Sequence, residues 1–359
     1  MREIILILLV ALSIPWVFKQ PIRAMAIYLG ANILRPEMFF WGGASGSYVF
    51  MFYSVLIIVA SLFRGYLRNV GRINNREFLL MVWLFVAVLV SMMFAQYPVF
   101  RGYYHVIEML KGFIICAFIY LMVDDFSDVR MLLNVMLGCI AFLGIWGIEQ
   151  QFRGNVRLEG LGGRSWGDSN SVAAVFVMFL PVALTKVYTS KNRKEFWTAV
   201  GIVAIIVALV VCTKSRGGML GLVTSVVALG VFSRSMRKIV MASLLMVVVA
   251  LPFAGQAYIE RMKTIQDVSD SENLENSAKS RLILWQAGLM VFSDNPFFGT
   301  GFLTYPQAKM RYEDRFLDLD EDFRTWVFRA EDKKVAHNTY IQVLSDLGLF
   351  GIIPFSLLI

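Results

Sequence analysis

Apolar residues fill this chain in long blocks, at positions 4–18, 21–34, 48–63, 77–95, 105–123, 131–149, 170–187, 197–213, 217–232, 239–255 and 338–359. Short polar connectors separate them. Crossing a bilayer takes roughly 17–25 predominantly apolar helical residues. The blocks approach or reach that length, and none shows the alternation of ten-residue segments that marks a membrane barrel. The pattern predicts an all-α polytopic membrane protein with about 11 apolar spans, of which the first two are short enough to form a tight hairpin. Arg2 and the apolar run Ile4–Phe18 imitate a signal peptide, but Lys19 and Arg23 fall where a cleavage region should be neutral, so the run reads as a retained span.

One interruption breaks the rhythm. The 81 residues Gln256–Ala336 are polar, and they lead directly into His337-Asn338-Thr339-Tyr340 at the start of the last apolar block. Within them, Leu282, Trp285, Leu289 and Phe292 recur at helical spacing, which predicts an amphipathic helix over Ala278–Phe292 lying on the membrane surface. Asp294-Asn295-Pro296 ends that helix, and Gly299-Thr300-Gly301 makes a turn. The expected organisation is therefore a transmembrane bundle over 1–255, a loop domain over 256–336 and a C-terminal transmembrane helix over 337–359. Because the last block has no polar tail, a further span beyond Ile359 is also expected.

Composition supports a membrane protein: 58% hydrophobic and 17% charged residues, against about 25% charged in soluble domains. The net charge of +8 is unevenly distributed, since the polar stretch carries 11 Lys/Arg against 14 Asp/Glu, a balance of −3 that leaves +11 elsewhere. Much of the excess sits in three connectors: Arg64, Arg68, Arg72 and Arg76; Lys186, Lys191, Arg193 and Lys194; and Arg234, Arg237 and Lys238. Counting blocks puts all three on one side, the cytoplasm by the positive-inside rule. Such a distribution argues against a nucleic-acid partner. Cys116, Cys139 and Cys212 lie in or beside apolar runs without metal-ligand spacing, so no metal is expected.

Arginines on the opposite, outer side need another explanation. Arg216 stands where one span ends and the next begins, followed by Gly217 and Gly218. Unpaired amides at a helix start and a guanidinium suit a phosphate or pyrophosphate, although a lone interfacial arginine also simply snorkels. Arg281 is one turn before Trp285 and could complete such a clamp or touch lipid head groups. Arg153, Arg157 and Arg164 taken singly read as solvated loop charges. His337 at a helix N-terminus meets the positive end of the dipole, which favours a neutral imidazole able to accept a proton; a capping or interfacial histidine is the plainer alternative. His105, three residues before Glu108, reads as structural. Asp168 or Asn170 caps the helix that follows, or orients a sugar or acceptor hydroxyl. Gly348 and Gly351 permit close helix packing.

In this order the pieces resemble the O-antigen ligase family. Arg216-Gly217-Gly218-Met219-Leu220 is similar to its Arg-x-x-x-Leu element, and Arg281 with Trp285 and Asn295–Phe302 to its loop arginine region. His337-Asn338, nine residues, then Gly348-Leu349-Phe350-Gly351 matches its histidine pattern. Gly167-Asp168-Ser169-Asn170 with Leu180-Pro181 also resembles the family. The segment Arg35–Gly42 looks like the exosortase A-associated putative O-glycosylation ligases. What the resemblance implies is a GT-C-like helical bundle with one large periplasmic loop in a bacterial inner membrane, and a glycosyltransferase without metal or other cofactor. Its donor would be an undecaprenyl-pyrophosphate-linked glycan, its acceptor a lipid A core sugar or a protein hydroxyl. By that analogy Arg216 and Arg281 hold the pyrophosphate and His337 acts as base, while Asn338, Gly217, Gly218, Asp168, Asn170, Arg164 and Trp285 line the substrate.

A polymerase of the same superfamily, joining lipid-linked repeat units, fits the same residues. A transporter of the same lipid fits less well, because transporters place charges near mid-membrane and show internal repeats.

Overall fold

The computed structural model describes residues 2–35, 45–98, 100–154, 167–233, 271–329 and 334–359, with scattered positions between 237 and 249. The apolar blocks that fall there form helices: α1 (Arg2–Lys19), α2 (Pro21–Leu34), α3 (Ser45–Phe63), α4 (Arg76–Met93), α5 (Phe100–Met122), α6 (Phe126–Phe152), α7 (Ser169–Thr189), α8 (Arg193–Cys212) and α9 (Arg216–Ser233). The polar stretch contributes α10 (Ser271–Asp294), α11 (Tyr305–Ala308) and α12 (Glu321–Phe328), and the last block is α13 (Thr339–Leu358). No strand occurs among the described residues.

Among the described residues the expected 11 spans are not there. Six described helices are long and apolar enough to cross a membrane, or seven if Val49–Phe63 and the 3-10 stretch Tyr66–Ile73 form one bent span. For α2 length makes the difference. Pro21–Leu34 has 14 residues, about 21 Å of helix against a hydrocarbon core of about 30 Å. In α1 and α9, each 18 residues long, the stretches with described side chains are the shorter apolar segments Val10–Lys19 and Gly217–Val231, and block 239–255 lies outside the described residues apart from scattered positions.

Polar side chains set where the helices begin. Asn75 accepts from the Phe78 amide, Asp125 from those of Ser127 and Asp128, Asn192 from that of Glu195, and Asn338 from those of Tyr340 and Ile341. Each satisfies donors that the first turn leaves without an intrahelical partner.

The chain divides into two compact units, Met1–Tyr66 with Met122–Lys263, and Leu67–Leu121 with Thr264–Ile359. In the first, α6 to α9 pack around Leu137, Ile140, Phe176, Leu180, Ile206 and Val210. Phe142, Ile145, Met178 and Leu220 face outward, as lipid-facing positions should. Between helices already surrounded by lipid, packing rather than water exclusion supplies the attraction.

In the second unit, α4 and α13 pair within the membrane, with Trp83 against Phe350 at 6.0 Å between ring centroids and the Ser91 hydroxyl donating to the Asp346 carbonyl at 2.5 Å. The two helices run antiparallel, so the His337 end of α13 lies at the Met93 end of α4. The polar stretch builds a small core of its own. Ile283, Leu284, Ala287, Tyr305, Phe316, Val327 and Phe328 cluster beneath α10, while Leu282 (56% exposed) and Leu289 (49%) point away from it. The amphipathic helix thus carries two apolar stripes, one turned to its own loop and one left outward.

Helix α13 is not continuous. Gly348 has φ 61° and ψ −159° inside it, conformations that a residue with a Cβ avoids. Around the break, the Leu349 and Phe350 amides donate to the carbonyls of Pro296 (2.8 Å) and Phe297 (3.0 Å), while the Thr300 and Gly301 amides donate to those of Ser345 (3.1 Å) and Asp346 (3.2 Å). Two glycines make this backbone-to-backbone seam possible. A Cβ on Gly348 would lie 2.5 Å from the Phe297 carbonyl, and one on Gly299 (φ 68°) would strike the Asp346 carbonyl. The backbone groups that the kink would leave unpaired are satisfied by the Pro296–Gly301 loop.

Candidate active site

Each unit holds part of the residue set singled out by the sequence. In the first, the α8–α9 junction turns on Lys214, whose φ of 52° is left-handed. Ser215 follows as the start of α9: its hydroxyl accepts from the Gly218 amide at 3.0 Å and donates to Asn170 Oδ1 at 2.6 Å. Asn170 opens α7, so one hydroxyl fastens two helix starts together. Asp168 caps α7, its Oδ1 accepting from the Asn170 (2.8 Å) and Ser171 (3.1 Å) amides and its Oδ2 from the Ser171 hydroxyl (2.7 Å).

This geometry separates the roles of the two glycines. The amide of Gly218 is engaged by Ser215, and a Cβ there would come within 2.7 Å of Ala173 Cβ, so Gly218 lets α9 approach α7. Around Gly217 the nearest atom to such a Cβ would be Ser215 Oγ at 3.9 Å. The open face of the turn, with amides that can meet an anion, is therefore that of Arg216 and Gly217. The Arg216 side chain and all of Arg164 lie outside the described residues.

In the second unit, α10 carries Arg281, exposed at its surface, and Trp285 one turn further on, about 6 Å along the axis. The Trp285 indole N–H donates to the Ala336 carbonyl at 2.9 Å. The Ala336 amide in turn donates to Gln342 Oε1 at 3.3 Å. His337 comes next, exposed and with a left-handed φ of 50°. Asn338 then caps α13, accepting from the amides of Tyr340 (3.0 Å) and Ile341 (3.3 Å). His337 thus precedes the cap by one residue instead of occupying the first helical turn. Its backbone is gripped on one side by the Arg281 helix and on the other by α13. The same two helices touch further along, where the Ser345 hydroxyl donates to the Gly288 carbonyl at 3.0 Å.

Sequence reasoning missed Asp346. Its carboxylate is buried beneath this arrangement, accepting from the amides of Tyr305 (2.8 Å) and Leu303 (3.2 Å) and from Gln342 Nε2 (2.7 Å). Gln342 therefore links Asp346 to Ala336, and Asp346 to the turn that enters α11. The signal was present, since an acidic residue inside an apolar block is costly without partners and asks for an explanation. Burial, with the Asp346 carboxylate adding to it, pushes the Tyr305 phenol well above its ordinary range, so its hydroxyl remains a donor to the Leu284 carbonyl. Burial and the hydrogen bond to Asp294 push Tyr312 up to about 12. His105 stays outside both groups, and Glu108 pairs with Lys111 at 2.7 Å. Among the described residues no three His, Cys, Asp or Glu side chains gather as a metal site.

The fold and these helix-end groups define a polytopic helical membrane protein whose polar chemistry collects where helices start. Residues 200–356 match the family model for O-antigen ligase. Over that part, less than half of its length, the chain is similar to the O-antigen ligase family. No curated protein and no solved structure matches the chain at a significant level.

Proposed function

We propose that the protein transfers a glycan from a polyprenyl-pyrophosphate carrier to an acceptor hydroxyl on the outer face of the membrane. The acceptor hydroxyl oxygen attacks the anomeric carbon and gives its proton to the His337 imidazole. The bond between that carbon and the phosphate oxygen breaks, and the diphosphate leaves with the electron pair. Arg216 and Arg281 meet the charge that develops on it. Preorganised donors of this kind are commonly the largest catalytic contribution.

The observation that carries the reading is the Trp285–Ala336 hydrogen bond. It fastens the backbone next to His337 to the helix bearing Arg281, and both residues fall in the stretch that matches the family. Sidedness adds support, taken one unit at a time. In the second, His337 lies at the end of α4 away from Arg76 and its basic connector. In the first, full-length α8 separates the Lys186–Lys194 connector from Arg216. Basic connectors of this kind belong on the cytoplasmic side.

In the resemblance's terms the carrier is undecaprenyl pyrophosphate in a bacterial inner membrane, and the acceptor a lipid A core sugar or a protein hydroxyl. Incubating the purified protein with lipid-linked donor and each acceptor tests this. A new glycosidic bond on the acceptor supports it. Growth of glycan on the carrier alone would instead make the enzyme a polymerase.

A further inference from the structure

A cleft of about 470 Å³ opens between α6 and α7, within the 300–1,000 Å³ range usual for small-molecule sites. It lies near the end of α7 that leads into the Lys186–Lys194 connector, and the opposite end of α7 carries Asn170. From α6 it is lined by Phe126, Arg130, Leu133 and Asn134, which share one helical face, and from α7 by Val182 and Lys186. The Lys186 ammonium donates to Asn134 Oδ1, which holds it over the cleft. Arg130 is exposed beside it.

Three acidic groups nearby accept from backbone amides. Glu195 feels both Arg130 and Lys191, but its carboxylate accepts from the Lys191 amide at 3.0 Å. Asp125 caps α6, and Asp128 accepts from the Asp124 amide at 3.0 Å. The cleft therefore offers two cations beside apolar walls, at the connector end of two membrane-length helices. Basic pockets between transmembrane helices suit the head groups of anionic lipids. A free inorganic anion would use the cations and leave the Leu133 and Val182 walls uncovered.

We propose that this cleft binds one anionic phospholipid, its phosphate between Arg130 and Lys186 and an acyl chain along Leu133 and Val182. The site is independent of the transferase reading, since it needs neither His337 nor either arginine of the proposed catalytic set.

Native mass spectrometry of the full chain in detergent, with phosphatidylglycerol or phosphatidylcholine of matched acyl chains, tests it. Wild-type protein should retain the anionic lipid with at least ~tenfold preference, equivalent to about 1.4 kcal/mol. R130Q/K186Q should lose that preference. R193Q/K194Q removes the same charge from the neighbouring connector and should keep it. L133W, which fills the cleft and leaves both cations in place, should lose the lipid even if R130Q/K186Q fails to accumulate. Equal retention by wild type and R130Q/K186Q, equal loss in R193Q/K194Q, or displacement of the lipid by excess inorganic phosphate would each overturn the proposal.

Discussion

The indole nitrogen of Trp285 donates to the carbonyl of Ala336, 51 positions away and directly before His337. A neutral hydrogen bond of this kind contributes about 0.5–1.5 kcal/mol. It also positions a residue held at φ 50°. Trp285→Phe keeps an aromatic ring, smaller than the indole, and deletes the donor. We expect transfer to fall by roughly three- to tenfold in kcat, with the melting temperature in detergent lowered only slightly. Unchanged kcat would show that the tether does not position His337.

The Gly299–Gly348 seam should tolerate nothing larger. Left-handed backbone alone costs a residue with a Cβ about 1–2 kcal/mol, and here the added atom also meets backbone that has nowhere to move. Gly348→Ala and Gly299→Ala should each destabilise the protein by at least about 2 kcal/mol, read as a lower melting temperature and reduced accumulation. Gly217→Ala serves as the control, because its surroundings are open.

Asp346 supports the site from below. Asp346→Leu would leave the Tyr305 and Leu303 amides and the Gln342 side chain without their acceptor, each a penalty of about 1–3 kcal/mol when buried. Asp346→Asn keeps one acceptor oxygen and should recover part of that loss. Thermal unfolding of the two variants should therefore rank wild type above Asn and Asn above Leu.

Ser215 is both a helix cap and a strut to Asn170. Loss of a cap hydroxyl costs about 1 kcal/mol. Ser215→Ala should lower stability by about that amount and, by loosening the Arg216 turn, lower turnover as well. Thermal unfolding and initial rates measured on the same preparation check both effects.

Much of this architecture was legible from the chain. The helical blocks, a cap at Asp168 or Asn170 and the Ala278–Phe292 part of α10 followed from periodicity and cap residues, which are local. Span number did not, because hydropathy marks where a helix is oily and not whether 14 residues of it reach across a bilayer. The Gly348–Gly351 spacing announced close approach, yet the seam joins α13 to a loop about 50 residues earlier, and no local pattern names such a partner. Ser215 was similarly hidden: its bond to Asn170 links positions 45 apart. Asp346 differs from these, since its placement in an apolar block carried the signal and its satisfied hydrogen bonds explain why it is tolerated there.

Single-turnover release of polyprenyl pyrophosphate from a lipid-linked glycan, in the presence of acceptor, tests the central claim most directly. Arg216→Ala, Arg281→Ala and His337→Ala should each insert and accumulate normally but release the carrier about 10²–10³-fold more slowly, the cost of one lost transition-state donor. Release at the wild-type rate by His337→Ala, or by either arginine variant, would contradict it.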